Sequence, residues 1–142
     1  MVVEYSIEIE KPFDEVWAVF DDPSLQPEWL EMMKSFEQVK GDGNAKGAVQ
    51  KVVFVRDSGD TSLTVTILDY AEGLVKARYE GMQLPFELTS RFDAVDDDTT
   101  RWTAHIDVKL SLLTKALGPV LKGPLGDLAE QMGNDFKNYM EG

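Results

Sequence analysis

The sequence predicts an α+β fold: a curved, seven-stranded antiparallel sheet around one long C-terminal helix, with two short helices after the first strand. Three observations predict it. Residues 2–10 and 99–110 alternate apolar and polar side chains with a period of two, as half-buried strands do. Turn signals recur at short intervals, including Gly41-Asp42-Gly43-Asn44 and Asp57-Ser58-Gly59-Asp60, so consecutive strands must be antiparallel neighbours. The tail carries an apolar stripe with helical spacing: Leu125, Leu128, Met132, Phe136 and then Tyr139 or Met140.

The elements follow in order. Val3, Tyr5, Ile7 and Ile9 form the apolar face of the first strand, opposite Glu4, Ser6, Glu8 and Glu10. Pro12 is suited to open a helix, with Asp14 and Glu15 in its first turn and Phe13, Val16, Trp17 and Phe20 on one face. Asp21-Asp22-Pro23 ends it. A second short helix is expected from Pro27, carrying Trp29, Leu30, Met32 and Met33. Strands are then predicted over 36–40, 46–56, 61–70, 74–80, 84–95 and 99–110. In the last, Trp102, Ala104, Ile106, Val108 and Leu110 face one way. Gly118, Pro119, Gly123, Pro124 and Gly126 interrupt the following segment, so a single straight helix is expected only from Pro124 onward. No repeat, low-complexity run or linker divides the chain, and one domain over 1–142 is the expectation.

Two strands leave their inward face open to argument. Over 74–80, Val75, Ala77 and Tyr79 make the more apolar face; the opposite register would bury Lys76, Arg78 and Glu80 at several kcal/mol per unpaired ion. The first register is adopted. Over 46–56, turning Val52 and Phe54 inward carries Gln50 with them.

The element order implies a trough. The C-terminal helix is the only one long enough to cover the apolar face of the sheet. A helix is about 10 Å across with side chains, whereas seven strands at about 4.8 Å each span far more, so the sheet must curl around it. The remaining gap is filled either by bulky side chains or by a ligand. The turns at Asp57–Asp60 and Gly81–Pro85 fall at the same end of the sheet, where the last strand also finishes, and this end is expected to hold the mouth. Met82 and Leu84 are unusual in a solvated turn. They either cap the end of the core or form the lips of a pocket.

Composition narrows the function. With 142 residues and 43% hydrophobic side chains the chain can build a real core, and with no Cys it has neither disulfides nor thiolate chemistry. A net charge of −12, with Lys and Arg scattered singly, speaks against nucleic acid and anionic membrane surfaces. The acidic start MVVEYSIEIEK is no signal peptide, and no apolar run approaches the ~20 residues of a membrane span, so a cytoplasmic protein, monomeric or weakly dimeric, is expected. His105, the one histidine, falls on the polar face of its strand. Asp96-Asp97-Asp98 lacks the alternating oxygen ligands of a calcium loop and reads as a hairpin turn, so neither metal nor cofactor is expected.

The candidate ligand-binding side chains are Trp29, Met33 and Phe36 near the second helix; Phe54, Tyr79, Met82, Leu84, Phe86, Ser90 and Trp102 on the sheet and its turns; and Leu121, Leu125, Leu128 and Met132 on the last helix. Trp102 could equally stand in plain core, and the other aromatic and Met residues could be simple core filling. Ser90 stands among Phe86, Leu88 and Phe92 as a small polar group able to orient a guest. No catalytic residue is assigned. Tyr79 is the one titratable inward candidate, and a tyrosine at pKa about 10 is a poor base.

The order of elements, with the KPFDEVW segment, the PEWLEMM helix, the GAVQKVVF strand and the helical tail, resembles the START-like SRPBCC superfamily with its helix-grip fold. The polyketide cyclase/dehydrase-like branch is the nearest likeness, over essentially the whole chain. The resemblance implies an internal cavity for a small hydrophobic molecule such as a lipid, a polyketide or an isoprenoid-like compound. It also implies gate-like and latch-like loops at Asp57–Asp60 and Gly81–Pro85. The gate and latch motifs of the plant hormone receptors are missing. A cyclase or dehydratase acting in the same cavity, and a protein-interaction module on the same scaffold, are the alternatives.

Overall fold

Alternation decides the first strand. In the computed structural model, which describes residues 1–81, 84–110 and 115–142, β1 (Val2–Ile9) buries Val3 and Ile9 and half-buries Tyr5 and Ile7. Glu4, Ser6 and Glu8 stay exposed. Helix α1 (Phe13–Phe20) starts directly after Pro12, whose carbonyl accepts the Val16 N–H at 3.1 Å, and buries Val16, Trp17 and Phe20. Asp22 then caps a 3₁₀ turn over Pro23–Leu25 by accepting the Ser24 N–H at 3.2 Å.

The second helix is shorter than expected. Helix α2 (Gln26–Trp29) stops where Leu30 turns extended, and Met33 already opens β2 (Met33–Lys40). Long-range partners claim the backbone that a longer helix would need. Asp135 accepts the Glu31 N–H at 3.1 Å, and the Met32 carbonyl accepts the Val55 N–H at 2.8 Å. Met32 and Met33 are therefore not helical.

The remaining strands are β3 (Val49–Arg56), β4 (Gly59–Ala71), β5 (Leu74–Glu80), β6 (Phe86–Asp96) and β7 (Thr99–Asp107). They form one sheet in the order β1-β7-β6-β5-β4-β3-β2, antiparallel throughout. The third strand starts at Val49 rather than residue 46, because Gly47 adopts φ 86° and gives its N–H to the Ile67 carbonyl at 2.9 Å. Register settles both open faces: β3 buries Gln50, Val52 and Phe54, and β5 buries Val75, Ala77 and Tyr79. Bulges at Met33/Ser35, Gln38/Lys40, Ile67/Asp69 and Ala94/Asp96 bend the sheet. Gly81 (φ 125°) sits so close to the edge of β4 that a Cβ there would meet the Ser62 carbonyl at 2.5 Å.

The last helix corrects the sequence reading at its start. A 3₁₀ turn over Lys115–Leu117 leads into α3 (Gly118–Glu141), which runs unbroken through Pro124. Pro119 lies in the first turn, where an amide has no intrahelical acceptor, and Pro124 removes a single bond on an exposed face. Ala129, Met132, Gly133 and Phe136 are buried against the sheet. A Cβ at Gly133 would lie 2.9 Å from the Tyr5 ring, so glycine is what lets the helix approach β1. The C-terminal turn is tied down: Lys137 donates to the Glu8 carbonyl and to Glu141, both at 2.7 Å, and Glu141 accepts the Glu10 N–H at 2.9 Å. The Lys137 hydrogen bond chiefly holds the Glu141 carboxyl below its ordinary pKa. Among the described residues no helix is long and apolar enough to cross a membrane.

Candidate functional site

The interior between sheet and helices is layered. At one end Trp17, Phe20, Phe92, Trp102 and Phe136 interlock. Phe20 and Phe92 have ring centroids 4.6 Å apart, Trp102 stacks on Phe92 at 5.6 Å, and Phe136 meets Trp102 edge-on at 5.6 Å. At the other end, next to the hairpins, Phe54, Leu63 and Phe86 are buried, and Tyr79 lies parallel to Phe86 at 5.0 Å.

Between these layers lies a cavity of about 20 Å³. A water needs roughly 10–15 Å³, so this space admits about one. The helical side of its wall comes from Phe20, Gln26, Trp29, Leu30 and Met132, joined by Met33 at the start of β2. The sheet side is Val65 and Ile67 from β4, Val75, Ala77 and Tyr79 from β5, and Leu88 and Ser90 from β6. Asn44 and Gln50 close the side near the β2–β3 turn. Of the two ways to fill the trough, bulky side chains account for nearly all of it.

The sequence-predicted residues divide accordingly. Trp29, Met33, Tyr79, Ser90 and Met132 are brought together on the wall. Phe54 and Phe86 instead form the layer between cavity and hairpins, and Trp102 belongs to the aromatic layer at the far end. Phe36 and Leu84 are half-buried against the core, off the wall. Leu121, Leu125 and Leu128 are also half-buried and off the wall, because the cavity sits at mid-sheet and meets α3 one turn later, at Met132. Met82 lies outside the described residues. The expected mouth end does carry an open surface groove, bounded by Met32, Arg56, Asp57 and Gln131.

Sequence reasoning missed several wall residues. Val75, Ala77 and Leu88 stand on apolar faces of their strands, yet the candidate set does not include them, nor Val65 and Ile67 of β4. Asn44 belongs to a turn signal, a place where side chains are ordinarily solvated, yet it is buried and its Oδ1 accepts from Gln50 Nε2 at 3.1 Å. Gln50 also donates to the Gly43 carbonyl at 2.8 Å, so its amide nitrogen is satisfied within the protein. The Trp29 indole N–H, by contrast with the Gln50 amide, is buried and has no acceptor among the described residues. Burial pushes the Tyr79 hydroxyl up to about 12, so it stays protonated and can donate at neutral pH.

His105 sits on the outer face, 3.0 Å from Glu4, as its strand position predicts. Asp96–Asp98 is an exposed turn in which the Asp96 carboxylate accepts the Asp98 N–H at 2.9 Å. Among the described residues no group of three or more His, Asp or Glu side chains gathers as a metal site would. On the cavity wall Tyr79 is the one ionisable side chain among the described residues, so no acid/base pair faces the interior.

A family model described as polyketide cyclase/dehydrase and lipid transport matches residues 1–141. The chain belongs to that family. Its fold is shared by solved structures of low sequence identity. A START superfamily protein from Mycobacterium smegmatis superposes with a TM-score of 0.84 at 14% identity, covering 99% of this chain and 97% of its own. The ZhuI aromatase/cyclase of a Streptomyces species gives 0.78 at 13% identity, covering 99% and 93%. A conserved protein from Geobacillus kaustophilus gives 0.75 at 17%, covering 99% and 95%. At such identities the likeness speaks for the helix-grip fold alone. No curated protein matches the chain in sequence.

Proposed function

We propose that this protein binds a small hydrophobic molecule in the interior between sheet and C-terminal helix and holds it without transforming it. The observation that carries the reading is the wall itself: a continuous apolar surface, drawn from α1, α2, five strands and α3, interrupted by a few neutral polar groups. Ligand sites have this composition. Membership of a family described by cyclase/dehydrase activity and lipid transport supports it. A guest larger than a water has to displace side chains, and the wall offers suitable ones in Met33 and Met132, whose unbranched thioethers repack at small cost. The absence of an acid/base pair at the wall favours a carrier or sensor over a cyclase.

Titration with the neutral dye Nile red, followed by native mass spectrometry of the loaded protein, tests the proposal. A saturable blue-shifted emission with one dye per chain is expected. Emission that never saturates, together with a mass spectrum of the bare chain alone, would overturn it.

A further inference from the structure

We infer that the cavity selects uncharged guests bearing a hydrogen-bond acceptor, such as a ketone or an ester, over carboxylates of the same shape, and that the Trp29 indole N–H is the donor that reads the acceptor. The inference rests on the binding reading above and names its ligand class.

The first argument is the lack of any partner for a charge. No Lys, Arg, His, Asp or Glu lies on the wall. Residues 82, 83 and 111–114 (Met, Gln, Ser, Leu, Leu and Thr) bring no ionisable group to it either. The nearest buried ion, Asp135, is already committed: its two oxygens accept from the Glu31 N–H at 3.1 Å and from Gln131 at 2.7 Å. A carboxylate guest would be stripped of water with nothing to replace it. The protein's net charge of −12 also repels an anion on approach.

The second argument is the unmade bond. Trp29 is 3% exposed and contributes to the wall, and its Nε1 hydrogen has no acceptor among the described residues; the nitrogen itself lies just behind the cavity surface, so a guest that parts the wall reaches it. Its orientation is fixed by neighbouring rings, with Phe136 edge-on at 4.9 Å and Phe20 at 6.2 Å. A buried donor left unpaired is unfavourable, so a guest oxygen that reaches it gains more than one meeting an already satisfied group. Gln50 does not compete, since its amide nitrogen already donates to the Gly43 carbonyl and to the Asn44 side-chain oxygen; the Tyr79 and Ser90 hydroxyls on the same wall are neutral donors too, and the indole proton shift below distinguishes Trp29 from them.

Three probes with one heptyl chain separate the possibilities: 2-nonanone, octanoate and 2-methyl-1-nonene, each competed against Nile red at neutral pH. The ketone should displace the dye best and octanoate on the order of 100-fold less well. Trp29→Phe enlarges the cavity for both neutral probes, so the readout is their ratio: the ketone should weaken about tenfold relative to the alkene. In the wild type, the Trp29 indole proton should move downfield with the ketone and not with the alkene, with Trp102 as internal reference; this readout needs no variant. Octanoate binding as well as the ketone, or an indole proton indifferent to the ketone, overturns the inference while the dye still reports a binding cavity. If neither the dye nor any of the three probes binds, the underlying binding reading fails instead.

Discussion

Two tryptophans, Trp29 and Trp102, make a natural comparison. Both are almost completely buried, both touch Phe136 and Phe20, and both keep an indole N–H without an acceptor. They differ in what lies beyond them. Trp102 is enclosed by Phe20, Phe92 and Phe136, so its orphan donor is an accepted loss in exchange for aromatic bulk. Trp29 borders the small cavity, beside Met33, Met132 and Leu30, whose flexible side chains can repack. The same chemical group is therefore filling at one end and a means of recognition in the middle. Neighbours, rather than residue type, assign the role.

The largest test of this contrast is truncation on either side. Phe136→Ala should destabilise the protein by about 3–5 kcal/mol in urea denaturation, because its fully buried ring packs on Phe20, Trp29, Phe92 and Trp102 at once. Met132→Ala should cost less, about 2–3 kcal/mol, and should raise Nile red affinity by enlarging the cavity. Equal cost with no gain in dye binding would erase the distinction between a rigid end and a soft middle.

Next in size is a pH effect. The Tyr79 hydroxyl is raised by burial from 10 to about 12, so the folded state holds its proton after the unfolded chain has lost it. That contribution is complete below pH 10 and is lost as pH rises toward 12. A two-unit shift corresponds to roughly 2–3 kcal/mol. Tyr79→Phe has no such group, so its stability relative to wild type should rise between pH 9 and 11.5 in parallel urea titrations. Tyr70, raised to about 12 by desolvation and by its bond to Asp21, is largely exposed and remains in both proteins.

Trp102→Phe should cost about 1–2 kcal/mol, since lost aromatic area is partly offset by removing the unpaired N–H. The smallest effect belongs to the exposed tether at the end of α3. Lys137→Met should change stability by no more than about 1 kcal/mol and leave dye binding unaltered.

Much of this arrangement was legible in the sequence. Period-two alternation marks the inward faces of β1 and β7, and the charge pattern of Lys76, Arg78 and Glu80 chooses the face of β5. Helix ends were less legible, because distant residues decide them. Nothing near Met33 announces that Asp135 will bind the Glu31 N–H and end the helical path. The breakers around Pro124 overstated a local penalty that packing of Ala129, Met132 and Phe136 outweighs. The cavity's position was harder still. Alternation marks which side chains point inward but not which meet, so Trp29, Met33, Tyr79, Ser90 and Met132 share the wall while Phe54 and Phe86, equally inward, lie off it. Asn44 was hidden because a turn asparagine is ordinarily solvated.

The central claim is that the middle of this core yields to a guest while its aromatic end does not. Methyl NMR of protein labelled at its six methionines, titrated with 2-nonanone, examines it directly. Saturable shifts at Met33 and Met132, with Met1 and Met140 unmoved and the Trp102 indole resonance unchanged, are the predicted result. Shifts confined to the outer methionines would mean that the interior stays shut, and would contradict the account.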